Sequence, residues 1–253
     1  MLDREDEYRK MAECERDHWW YRNLHDRCLR TIADFFAAKS PRILDAACGT
    51  GGLLLKLKGD GHDQLHGFDL SPTAVARARA GNLDVVQADL RDLSRVFPTV
   101  VFDVIVSNDS LYFLGDKEQE AFVRTCHDRL HTGGVLIMNL PARAAFSGMH
   151  DRAVGISRRF EPEDVARLAA TASWDIVGHQ SWPMLLSPLI FAARTAQRMR
   201  LGSSSDVVVS DVRMPPDWVN ALLYRLTSLE RFCPGTGYGS SIFLVLKKRE
   251  PRC

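Results

Sequence analysis

The chain has almost no net charge, no paired cysteines and no long apolar run, and each absence removes a class of function. Its 33 lysines and arginines are balanced by 32 acids, a net +1, so no basic surface argues for nucleic acid. Lys247-Lys248-Arg249 reads as a solvated strand end, not a phosphate patch. The six cysteines, Cys14, Cys28, Cys48, Cys126, Cys233 and Cys253, include no C-x-x-C pair. They predict reduced thiols in a cytoplasmic protein, and no metal ligand set is expected. The start, Met-Leu-Asp-Arg-Glu-Asp-Glu, is too charged for a secretory signal. No stretch reaches the ~20 apolar residues that span a bilayer. No internal repeat occurs, and Ser203-Ser204-Ser205 reads as a loop.

With 253 residues and 45% hydrophobic content, the chain can bury one large core as one domain with embellishments. Strands alternate with helices from about residue 42 to 140, which predicts a mainly parallel sheet covered on both faces. Ser71-Pro72 opens a helix that Gly81 closes. Asp116 with Gln119 forms a capping-box pattern before Phe122, Val123, Cys126 and Leu130, with Gly133 as the stop. A further helix starts at Pro162, with Val165, Leu168 and Ala169 inward.

The most informative stretch is Ile43-Leu44-Asp45-Ala46-Ala47-Cys48-Gly49-Thr50-Gly51-Gly52, a short apolar strand running into a glycine-dense turn. Gly49 and Gly51 lack Cβ, so a ligand can lie directly on the backbone. A dinucleotide fold wants G-x-G-x-x-G, but position 54 is Leu, and Asp45 stands where a pyrophosphate would make an acid unwelcome. The pattern points to a cofactor that is not a phosphate ester. Asp69 follows Asp45 by 24 residues, about the distance over which a β-loop-α-β unit returns an acid to the carboxyl edge of the sheet. A carboxylate there can accept from both vicinal hydroxyls of a ribose; the alternative is a helix N-cap or a surface acid. Asp45 itself is expected to tie down the turn by accepting backbone N–H bonds, and also to reach the cofactor's amino group through a water.

Asp45, Ala47, Gly49 and Gly51 match the first motif, (D/E)-x-(G/A)-x-G-x-G, of the class I S-adenosylmethionine-dependent methyltransferases, which the chain resembles. His66-Gly67-Phe68-Asp69-Leu70 is similar to that family's second strand. Val85-Val86-Gln87-Ala88-Asp89-Leu90 is similar to the third, Phe102 to Asp109 to the fourth, and Leu130 to Ile137 to the turn into the fifth. The resemblance implies S-adenosylmethionine as cofactor, held by Asp45, Ala47, Gly49, Gly51, Asp69, Leu70, Asp89, Leu90 and Asn108. In it Asp69 takes the ribose hydroxyls, while Asp89 and the next N–H meet the adenine.

The cluster His18-Trp19-Trp20-Tyr21-Arg22 lies in the helical N-terminal forty residues. Three successive aromatics cannot all face a core from one helix, because neighbours are about 100° apart. The string is similar to a type 11/12-like bacterial subset of the family that modifies polysaccharides or small metabolites, with N-terminal helices capping the cofactor cleft. Trp20 and Tyr21 are read as lid residues touching the cofactor, Trp19 equally as a packing clamp.

Phe146 to Asp151 and Gly155 to Phe160 resemble the same subset, departing from it at Ile156, where the subset carries His. His150 is the best-placed titratable group there and a candidate general base; the alternative is a buried His150-Asp151 pair holding the loop. Arg158 and Arg159 are candidates to bind an anionic acceptor, or else to bridge to Glu161, Glu163 or Asp164. Asp109 and Tyr112, after strand four, are candidates to orient the acceptor. Asn108-Asp109-Ser110-Leu111 is not the N-P-P-Y string of many amino-methylating enzymes.

The expected fold is a seven-stranded, mostly parallel, doubly wound α/β sheet, with a helical cap at 1–40 and the cofactor-binding domain at 41–253. A helical insertion at 184–235 separates the last two strands, near 176–181 and 241–246. Its helices, starting at Ser187-Pro188 and Pro216-Asp217, carry apolar stripes including Trp218, Leu222, Leu226 and Leu229 that need a partner. The cap is the first choice; a dimer contact or a membrane-surface contact by the apolar, basic first helix are the others. The expected activity is O-methylation of a metabolite or saccharide by a monomer or homodimer. N-methylation of a metabolite amine and a non-catalytic cofactor-binding subunit are the alternatives.

Overall fold

Ile43–Ala46, strand β1, is buried at all four positions, as apolar runs without alternation are when both sheet faces are covered. The computed structural model describes residues 12–37, 40–148, 151, 155–200, 214–232 and 237–250. After helix α1 (Trp19–Phe36) and β1 come α2 (Gly52–Gly59), β2 (Leu65–Asp69), α3 (Pro72–Ala80), β3 (Asp84–Gln87) and β4 (Phe102–Asn108). Then follow α4 (Asp116–Arg129), β5 (Leu130–Pro141), α5 (Pro162–Ala169), β6 (Trp174–Trp182), α6 (Ser187–Arg200), α7 (Asp217–Leu229) and β7 (Ser241–Lys248). The seven strands lie in the order β3-β2-β1-β4-β5-β7-β6. Only β7 runs against its neighbours. The order reverses between β1 and β4, where open α/β sheets bind ligands at the strands' carboxyl ends.

Period-two alternation sends Leu44, Ile105, Leu136 and Met138 to one face, packed under Phe122, Val123, Val165 and Leu168 of α4 and α5. Ile43, Val104, Val106, Val135 and Ile137 face the other side, under Leu54, Leu57, Val75 and Ala78. Leu24, Cys28 and Ile32 of α1 join this second core, so the N-terminal helix is packed on the sheet.

Helix ends obey local chemistry, with two departures from the sequence reading. Ser71 Oγ accepts from Ala74 N–H at 3.3 Å, with Pro72 in the first turn. In α4 the box is shifted: Glu118 accepts from Gly115 N–H at 2.8 Å, while the buried Gln119 donates to the carbonyls of Leu111 and Leu114. The helix also ends at Arg129, short of Gly133. Leu130 pairs with Phe102 and draws the chain into β5, and Lys248 Nζ caps the carbonyls of His127 and Leu130 at 2.7 and 2.8 Å. A lysine from β7 thus does what a glycine was expected to do.

Helix α7 meets α1 through polar groups. Asn23 Nδ2 donates to Thr227 Oγ1 at 2.6 Å, Trp19 N–H to Asn220 Oδ1 at 2.8 Å and Tyr224 Oη to Asp26 at 2.6 Å; the Arg22 guanidinium lies over the Tyr224 ring. The apolar stripe expected to pack there points away, and Trp218 is 73% exposed, with Leu222 and Leu229 also exposed.

A buried ionic cluster closes the joint. Arg27 donates to Gln180 and lies 3.5 Å from the Glu230 carboxylate; Gln180 binds the Glu230 carbonyl and Glu230 accepts Leu185 N–H. Burial lowers the Arg27 pKa to about 10, which leaves it charged at neutral pH. Arg27→Ala strands a buried carboxylate and is expected to cost about 3–5 kcal/mol of unfolding free energy in urea titrations. Phe232→Ser, on an exposed side chain, should stay within about 0.5 kcal/mol.

Candidate active site

The turn after β1 is held in the left-handed region at Ala47 (φ 63°), Gly49 (φ 53°) and Gly51 (φ 87°). Ala47 carries the strain of a Cβ there, about 1–2 kcal/mol. A Cβ on Gly51 would lie 2.6 Å from Leu83 Cδ1. Gly49 N–H donates to Asp69 Oδ2 at 2.9 Å and Ser71 N–H to Asp69 Oδ1 at 2.9 Å. Gly52 N–H donates to Glu15 Oε1 at 3.1 Å, and the Thr50 hydroxyl to Glu15 Oε2.

Asp45 does not tie down the turn as expected. Ala46 stands level with Phe68 across the ladder, so Asp69, one residue further along β2, comes beside the turn while Asp45 lies behind it. Asp45 is 4% exposed, and its carboxyl accepts no hydrogen bond among the described residues. Burial, and then the charges of Glu15 and Asp69, push its pKa well above the usual carboxylate range.

The end of β4 lies across the switch point from this turn. Asn108 donates weakly to Cys28 Sγ at 3.7 Å, and its buried Oδ1 has no partner among the described residues. Asp109 adopts φ 47° and is half-buried. Asn139 Nδ2 bonds both Asp109 oxygens, at 3.0 and 2.9 Å, and Asn139 Oδ1 accepts from Trp182 Nε1 at 2.8 Å. Trp182 in turn stacks on Trp20 with centroids 5.4 Å apart. Burial raises the Asp109 pKa to about 7, against the lowering effects of Asn139 and the Arg159 charge.

The remaining candidates scatter. Leu70 is 61% exposed at the tip of β2, an apolar platform beside Asp69. Asp89 caps a 3-10 turn and pairs with Arg91 at 2.9 Å; Leu90 is buried behind it. Tyr112 is buried with its ring against Phe113, its carbonyl accepting from the Ser157 hydroxyl. Tyr21 sits between Trp20 and His25. His150 lies outside the described residues.

Arg158 is held by Asp116 and Asp164. Arg159 is buried and bidentate to Asp151, with Nε and Nη2 both at 2.7 Å, and Nη1 bonds the carbonyls of Ala142 and Ser240. This corrects the acceptor-binding role expected of Arg159: its guanidinium is spent fastening the loop after β5. Asp151 is accordingly paired to Arg159.

Comparison with known proteins agrees with this geometry. Residues 43–134 match the family model of the methyltransferase domain. Over that stretch the chain is similar to methyltransferases that use S-adenosylmethionine. Over 152 residues it is 30% identical to a probable S-adenosylmethionine-dependent methyltransferase of Mycobacterium tuberculosis, covering 56% of this chain and 50% of that protein. Over 122 residues it is 31% identical to the carboxy-S-adenosyl-L-methionine synthase of Chromohalobacter salexigens, 44% of each. The chain thus spans about half the length of the curated relatives it matches. An S-adenosylmethionine-dependent methyltransferase of Clostridium acetobutylicum shares the fold with a TM-score of 0.57 at 12% identity, over 91% of this chain and 92% of that one.

The residues around the turn fit S-adenosylmethionine. Buried Asn108 Oδ1 lacks a donor among the described residues, the exposed Leu70 offers a surface for a flat ring, and the acids at the turn suit a ligand carrying positive charge. Glu15, Asn139 and Trp182 escaped motif reading. Asn139 did leave a signal, as one amide in the apolar run Val135 to Leu140.

The Asp109 carboxyl should titrate near pH 7 by heteronuclear NMR. In Asn139→Leu the midpoint should rise further, because the lost amide bonds favoured the ionised form. A wild-type midpoint near 4 would contradict the assigned environment.

Proposed function

We propose that the chain transfers a methyl group from S-adenosylmethionine to a hydroxyl of a small-molecule acceptor. The observation that carries this reading is Asp109, a half-buried carboxyl at the carboxyl end of β4 with its pKa raised to about 7. It stands across the switch point from the glycine-rich turn of β1.

Asp69 binds the ribose hydroxyls, oriented by the N–H groups of Gly49 and Ser71. Ala47, Gly49 and Gly51 let the backbone come close to the cofactor, and Leu70 flanks its ring. When bound, the cofactor supplies an activated methyl on a sulfonium, so the protein mainly has to align the acceptor and exclude water. A hydroxyl must also lose a proton as its oxygen–carbon bond forms and the carbon–sulfur bond breaks. Asp109 takes that proton, and Asn139, fixed by Trp182, holds the carboxylate in place. A base with pKa near the working pH is the efficient choice. Trp20, stacked on Trp182, links the N-terminal helix to this base. No helix of the described residues is long and apolar enough to cross a membrane, and the acceptor reaches the cleft from solvent.

Screening of alcohol, amine and thiol acceptors with labelled cofactor identifies the nucleophile. On the acceptor found, Asp109→Asn keeps the left-handed backbone, which Asn tolerates, and should lower kcat about 10²–10⁴-fold with cofactor Kd unchanged. Wild-type kcat should rise with pH through about 7 as the base deprotonates, and the variant should lose that rise. Asp69→Ala should instead weaken the cofactor by more than about 1.5 kcal/mol. An Asp109→Asn variant with wild-type kcat would refute the base assignment.

A further inference from the structure

A concavity of about 360 Å³ opens beyond the carboxyl ends of β5 and β6, lined by Met184, Ser187, Pro188, Phe191 and Tyr238. Its size falls within the ~300–1,000 Å³ of small-molecule sites. Behind the lining, the buried Phe146 packs against Phe191 and Tyr238 with ring centroids 6.0 and 5.3 Å apart. Those two rings nevertheless stay 41% and 49% exposed. Little of the lining can hydrogen-bond a ligand, since the Ser187 hydroxyl is already donated to the Pro183 carbonyl at 2.6 Å.

Arg143 borders this pocket. Its guanidinium lies 4.3 Å over the Tyr238 ring, a cation–π contact, and pairs with no acid among the described residues. Arg158 and Arg159, by contrast, are held by Asp116, Asp164 and Asp151. Arg143 also holds φ 58°, a left-handed backbone that strains any residue with a Cβ, and such strain gathers at ligand clamps. The pocket adjoins Asp109. Arg159, whose charge acts on Asp109, bonds the carbonyls of Ala142 and Ser240, the first next to Arg143 and the second two residues past Tyr238. Trp182, which donates to Asn139, stands two residues before Met184.

We propose that this pocket selects a flat, apolar ring carrying an acid group, the ring lying against Phe191 and Tyr238 and the acid meeting Arg143. The inference rests on the methyl-transfer reading above and narrows its acceptor to a hydroxylated aromatic acid. Sugar hydroxyls taken out of water need hydrogen-bond partners, and methionine, proline and aromatic carbons supply none. A ring needs only apolar area and the faces or edges of other rings. An unpaired guanidinium recognises a carboxylate through two parallel bonds, so charge complementarity fixes which end of the ligand sits at the rim.

NMR titration of the full chain with 6-hydroxy-2-naphthoate, 2-naphthol and glucuronate tests it. The naphthoate should bind about tenfold more tightly than naphthol, the worth of one charge-assisted contact. It should also bind at least about tenfold more tightly than glucuronate, which carries the acid without a flat ring. Arg143→Gln should erase the first difference and leave naphthol within about twofold, while Phe191→Ala should weaken both ring ligands about tenfold. Glucuronate bound as tightly as the naphthoate, or equal weakening of both ring ligands by Arg143→Gln, overturns the proposal. So does a dimer that Phe191→Ala dissolves while wild type binds neither ring ligand, because a second copy of the chain then covers the rings. If Arg143→Gln does not fold, the three wild-type affinities decide. Selective naphthoate binding by a chain that transfers no labelled methyl to any hydroxyl upholds the pocket and refutes the function proposed above, so the two failures stay distinct.

Discussion

Acids gathered at one buried turn are the constraint on which the rest of the site depends. Asp45 from β1, Asp69 from β2 and Glu15 from the N-terminal segment meet around residues 49–52, and burial raises the pKa of both Asp45 and Glu15. Backbone N–H groups of Gly49, Ser71 and Gly52 soften the charge but bring no cation. Such a pocket repels a pyrophosphate and welcomes a ligand with fixed positive charge, which separates the cleft chemically from dinucleotide sites on similar sheets.

The second organising feature is the chain of contacts Trp20–Trp182–Asn139–Asp109. It joins α1, the end of β6, the end of β5 and the end of β4 around Asp109. Arg27 lies over the same Trp182 ring and reaches Glu230 at the far end of the insertion. The 184–235 insertion is thereby tied, through its polar face, to the helix that also packs on the sheet. The N-terminal helix, the insertion and Asp109 share one set of side chains.

What could be read from the sequence was what local chemistry decides. The strand-turn-helix at 43–59, the Ser71-Pro72 start and the starts of the two insertion helices follow from periodicity, glycine and capping, all acting within a few residues. What could not be read was pairing across distance. Asn23 meets Thr227, Glu15 meets Gly52 and Arg159 meets Asp151, and no spacing rule announces which acid an arginine will find. Charge alone misled at Arg159, where burial rather than ligand binding uses the guanidinium. Apolar periodicity misled at α7, where hydrogen bonds of Asn220, Tyr224 and Thr227 chose the face that packs. Asp45 was expected to tie down its turn by accepting backbone N–H bonds, but the ladder register gives that place to Asp69.

The central claim is that an acid-lined cleft at the switch point of this sheet selects a positively charged adenosyl cofactor. Isothermal titration of the full chain with S-adenosylmethionine, S-adenosylhomocysteine and NAD tests it most directly. The account predicts one-to-one binding of the first two and no heat above dilution for NAD. Binding of NAD as tight as that of S-adenosylmethionine, or no binding of either adenosyl ligand, would contradict it.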